Sequence, residues 1–140
     1  MGTADVVVCH NVFYNVADLV PFASALNAHA RFRVVVELSA DHPTSNLNPL
    51  WRAIHGIERP TSPTADDALA LLEEMGLRVA HETFERRWEH HGFDRSEMVA
   101  MMRRRLCVGP ERDAEIAAFL AVDDVAPLRR SVTIWWEGTA

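Results

Sequence analysis

The sequence predicts an α/β layered domain, and three observations carry that prediction. Two short, unbroken runs of β-branched residues, Val6–Val8 and Val34–Val36, are the kind of segment found in parallel strands buried on both faces. Between them lies one segment of helical period, which makes a βαβ unit with a right-handed crossover. Beyond them, helices with recognisable start signals alternate with two more strand-like stretches, the last at the carboxyl end.

Each element has a local reason. The first strand, "ADVVVCH", ends in a polar loop containing Asn11, Tyr14 and Asn15. Asp18 is a good N-cap, and Pro21 falls in the first turn, where a missing N–H costs nothing. Leu19, Phe22, Ala23, Leu26 and Ala30 then recur at helical spacing. The second strand is "FRVVVELS". The stretch 39–63, rich in Pro, Ser, Thr and Asn, predicts a substrate or lid loop after that strand's carboxyl end. It should hold one short helix, capped by Asn48, with Pro49 at its first position and Gly56 past its end. Thr64 with Asp67 reads as a capping box opening the helix "ADDALALLEEM", which Gly76 ends. A strand over "LRVAHETFERRW" follows. Asp94 with Glu97 opens "RSEMVAMMRRRL", a further helix surrounds Ile116, Phe119 and Leu120, and "RSVTIWWEG" is the final strand. On that strand Trp135 and Trp136 point to opposite faces, so at least one belongs to the core. Residues 1–140 are therefore expected to form a single domain.

Composition narrows the chemistry. With 140 residues, the chain can bury roughly two-thirds of its unfolded surface. A formal charge of −6 argues against nucleic acid or an anionic membrane as partner. All 14 basic residues are Arg, which excludes a lysine Schiff base, a lysine general base and a Walker-type phosphate loop. Two cysteines, Cys9 and Cys107, make no disulfide framework and point to a reducing cytoplasm. No signal peptide and no membrane-spanning run is visible. His42, His55, His81, His90 and His91 offer no three convergent ligands at known spacing, and "HETFE" is not the zincin motif, so no metal is expected. The cluster Arg103–Arg105 reads as a solvated helix end that complements the helix dipole.

The order of elements and the wording of "DVVVCHNVFYNVADLVPFASALNAHARFRVVVEL" resemble the carboxyl-terminal half of the class I S-adenosylmethionine-dependent methyltransferases, with actinobacterial members the nearest in wording. The resemblance implies a partial Rossmann-like sheet of about four strands, the last antiparallel, with flanking helices. It also implies that the leading valine strand would normally sit beside a strand followed by a Gly-rich cofactor loop. Six scattered glycines supply no such loop. The expectation is thus a methyltransferase fragment acting on a small molecule, inactive without an amino-terminal half and binding S-adenosylmethionine weakly or not at all alone. The alternative is a non-catalytic remnant that dimerises, or binds a partner, through its exposed first strand.

Ligands of open α/β sheets bind in the crevice past the strands' carboxyl ends. Cys9, His10 and Asn11 are therefore the candidate cofactor contacts, as the resemblance implies, and His10 the candidate general base. Tyr14 and Asn15 suit a polar acceptor without adding charge near a sulfonium. Glu37 ends the second strand within an apolar run. It either faces the same crevice or pairs with a nearby arginine.

Overall fold

A computed structural model of the chain describes residues 2–87, 94–122 and 128–140. Trp88, His90 and His91 lie outside the described residues. The elements run β1 (Ala4–His10), α1 (Leu19–His29), β2 (Ala30–Ser39), α2 (Asn48–His55), α3 (Ala65–Glu74), β3 (Ala80–Arg87), α4 (Arg95–Leu106), α5 (Asp113–Val122) and β4 (Leu128–Glu137). The chain divides into two compact units, Met1–Pro43, Pro60–Arg86 and Arg129–Ala140 forming one, Thr44–Arg59 and Arg87–Leu128 the other.

The first unit carries a four-stranded sheet in the order β1-β2-β4-β3. β1 and β2 are parallel, and β4 inserts antiparallel to β2, as expected of the last strand. Alternation along the strands divides the sheet into two faces. Val34, Val36 and Leu38 of β2, with Val132, Ile134 and Trp136 of β4, share a buried cluster with Ala23 of α1 and Ala65, Ala68 and Leu72 of α3. Both helices of this unit therefore lie on one face.

The other face shows the open border that the resemblance implies. β1 has the composition of a strand buried on both sides, yet it is the sheet's edge among the described strands. Val6 and Val8 are 48% and 69% exposed. In register, Val8 pairs with Val35 and Val35 with Trp135, so an apolar row crosses the outer face. Residue type specified a buried strand; position in the sheet left one face of it open.

The local signals hold closely. Asp18 accepts a hydrogen bond from the Val20 N–H and caps α1. Thr64 and Asp67, and Asp94 and Glu97, form complete reciprocal capping boxes. Gly56 and Gly76 have φ of +65° and +79°, the left-handed geometry that ends a helix at least cost in glycine. The cap of α2 is displaced by one residue: Leu47 is its N-cap, and Asn48 is already helical because a 3-10 turn at Ser45–Leu47 runs straight into it. At the end of β4 the backbone of Gly138 lies so close to Ala30 that any Cβ there would overlap its carbonyl.

The second unit is helical. Leu47, Leu50, Val99, Met102, Leu106 and Ile116 form its core. Arg103, in the basic cluster, chelates the Asp113 carboxylate at 3.1 and 2.8 Å. No helix among the described residues is long and apolar enough to cross a membrane.

Candidate functional site

β1 ends at His10, and the chain then turns sharply. Asn11 adopts φ of +53°, a left-handed conformation that Asn tolerates better than most residues. Its backbone N–H donates to the Glu37 carbonyl at 2.8 Å, which clamps the end of β1 to β2. His10 and Glu37 are register partners, so their side chains stand on the same face. They meet there: His10 Nε2 lies 2.9 Å from Glu37 Oε1. Asn11 Nδ2 approaches the other ring nitrogen, Nδ1, at 3.3 Å. The Asn15 amide in turn reaches the Asn11 carbonyl at 3.5 Å. Glu37 is thus paired with His10 across the two strand ends.

Four of the six candidate residues are thus linked at one strand end. The other two point elsewhere. Cys9 is 5% exposed and belongs to the core beneath the helices, one step along the strand from His10 and on the opposite face. Burial pushes its thiol above the usual range, against a smaller opposing effect from the Val12 backbone. Tyr14 donates its hydroxyl to the Ser39 carbonyl, which ties the loop to the end of β2. Burial also raises the Tyr14 phenol, opposed by the bond to Ser39 and reinforced by the Asp41 charge. The Tyr14 ring borders a cleft of about 210 Å³, lined by Phe13, Val16, Leu19, Pro63 and Leu71 among others.

One residue escaped the sequence reading. His42 packs edge-on against Tyr14, ring centroids 6.0 Å apart, and its Nδ1 is buried without a hydrogen-bond partner. In sequence it stood among histidines considered only for metal. Its sole local signal was the polar turn "DHP" directly after β2. Among the described residues no group of three or more His, Cys, Asp or Glu side chains is placed to hold a metal ion.

The chain superposes on a solved structure described as a candidate methyltransferase from Bacillus halodurans C-125, with a TM-score of 0.57 and 14% identity over 99% of this chain. The fold is shared with a methyltransferase-like protein. A candidate sarcosine dimethylglycine methyltransferase from Galdieria sulphuraria also aligns, with a TM-score of 0.49 and 16% identity over 98% of this chain. The chain spans 65% and 54% of the lengths of these two proteins. No family model and no curated protein matches it.

The polar groups at the end of β1 fit a cationic sulfonium in kind. They are an imidazole, carboxamides and one carboxylate, which can accept or donate hydrogen bonds without setting a fixed positive charge against the ligand. His10, Asn11 and Asn15 are exposed there, whereas Cys9 is buried.

Proposed function

We propose that this chain is the carboxyl-terminal part of an S-adenosylmethionine-dependent methyltransferase for a small molecule, active only when a segment carrying a Gly-rich cofactor loop pairs with β1. The observation that supports this reading most directly is the sheet itself. Its parallel pair stands at one border, an antiparallel strand is inserted beside that pair, and the outer edge of apolar β1 has no partner among the described strands. An apolar edge is a liability that proteins usually cover, blunt or charge. Bound S-adenosylmethionine would supply an electrophilic methyl group on sulfur. His10 and Asn11 would meet it from the β1 end, while Asn15 and Glu37 would face the methyl acceptor. Positioning the acceptor in line is the main demand, because effective concentration alone contributes a large part of such rate enhancements.

A thermal shift measurement tests this reading. A ligand present at a hundred times its dissociation constant raises stability by about 2.7 kcal/mol. The expected result is no shift with S-adenosylmethionine for the chain alone, and a shift once an amino-terminal methyltransferase segment is added. A shift for the chain alone overturns the requirement for that segment. No shift in either case overturns the methyltransferase reading.

The exposure of Val6 and Val8 also favours a second reading, a non-catalytic module that pairs through β1 with a second copy of itself. Light scattering separates the two: a dimer that Val8→Lys dissociates, with no cofactor-dependent shift under any condition, supports the module.

A further inference from the structure

We infer that His10 and Glu37 form a proton-accepting pair in which Glu37 is a positioning residue, and that the methyl acceptor is protic, an alcohol or phenol oxygen. This deepens the methyltransferase reading and rests on it. The two partners of the imidazole have opposite characters. An ionised Glu37 can only accept a hydrogen bond, and it lies 2.9 Å from Nε2. The Asn11 amide nitrogen can only donate, and it lies 3.3 Å from Nδ1. Together they specify one neutral tautomer, with the proton on Nε2 and the lone pair on Nδ1.

The backbone enforces the arrangement from both sides. Register pairing places His10 beside Glu37, and the left-handed turn at Asn11, clamped by its N–H to the Glu37 carbonyl, swings the amide back toward the ring. A histidine kept only for solubility needs neither partner. His10 is 60% exposed and Glu37 34%, so the pair is open to an incoming molecule. The Asn11 contact is the longer and weaker of the two, and an acceptor hydroxyl can replace it at Nδ1.

The chemistry balances. The acceptor's O–H proton passes to Nδ1 as its oxygen bonds to the methyl carbon, and the electron pair of the broken C–S bond stays on sulfur. Positive charge leaves the sulfonium and appears on the imidazolium, directly beside the Glu37 carboxylate. A tertiary amine acceptor has no proton to lose and would gain nothing from this pair.

Imidazole ¹⁵N spectra of the chain alone test the tautomer without any cofactor. The expected result is a proton on Nε2 in the wild type and a tautomer mixture in Glu37→Ala, with the amide spectrum of the sheet retained in both. A wild-type mixture, or a ring unaffected by Glu37→Ala, overturns the role of Glu37. With the amino-terminal segment added, His10→Ala should slow methyl transfer to a phenol by about 10²–10⁴-fold more than it slows transfer to a tertiary amine. Equal loss on both acceptors overturns the protic assignment. A fixed tautomer with no transfer to either acceptor overturns the methyltransferase reading and the acceptor class with it, leaving Glu37 as the group that orients His10.

Discussion

β1 and β2 start from nearly the same material. Each carries three consecutive valines, they run parallel, and Val7 and Val8 pair in register with Val34 and Val35. Their fates differ sharply. β2 has a strand on either side and keeps its outer-face Val35 half-buried, whereas β1 has one neighbour among the described strands and leaves Val8, the register partner of Val35, more than two-thirds exposed. The difference teaches that β-branched composition selects extended backbone, while burial is conferred by neighbours. It also frames the candidate site, because His10 is an outer-face residue of the open strand and Glu37 an outer-face residue of the closed one.

Substitutions on the two strands should break the symmetry. The largest effect is expected at Leu38, fully buried on β2: Leu38→Ala should cost about 2–5 kcal/mol in urea unfolding. Val36→Ala should cost roughly 2 kcal/mol, from two lost carbons plus a small cavity. Val8→Ala, the same chemical change on β1, should stay within about 0.5 kcal/mol. Equal costs for Val36→Ala and Val8→Ala would mean that the β1 face is covered in solution.

Outside the strands, Thr64→Ala should cost about 1 kcal/mol by removing the cap of α3, with no change in the cofactor-dependent shift. The two cysteines extend the contrast between core and surface. Cys107 is exposed, whereas Cys9 is buried with a raised thiol pKa. A thiol reagent near pH 8 should therefore modify one group promptly and the second only on unfolding, and mass mapping should find Cys107 modified first.

The smallest effect concerns pH. Hydrogen bonds from Thr64 hold Asp67 below its ordinary value of 3.8, and those from Glu97 and Ser96 do the same for Asp94. A carboxylate whose folded pKa is depressed binds protons more weakly in the folded state. Its contribution is therefore complete above pH 3.8 and is lost as pH falls through the lower folded value. Helical circular dichroism should decline in that window and stay flat between pH 5 and 7. Tyr14 behaves oppositely, its stabilisation persisting below pH 10 and fading above it, and ultraviolet titration of the only tyrosine reads it directly.

Much of this molecule could be read from short stretches of chain. Caps at Asp18, Thr64 and Asp94, glycine stops at 56 and 76, and the alternation of Trp135 and Trp136 all depend on residues within a turn or two of each other. Local hydrogen bonds and side-chain periodicity determine them, so sequence alone suffices. The polar loop after β1 is a candidate on a general rule as well, because strand ends in open sheets are where ligands bind. Tertiary structure decided what depends on distant partners. Strand order placed β1 at the border. Register joined His10 to Glu37 across 27 positions, and the alternation of faces turned Cys9 inward while leaving His10 outward. The open border and the paired imidazole both arise from strand pairing, a contact between segments far apart in the chain, and no local signal encodes which strands will meet.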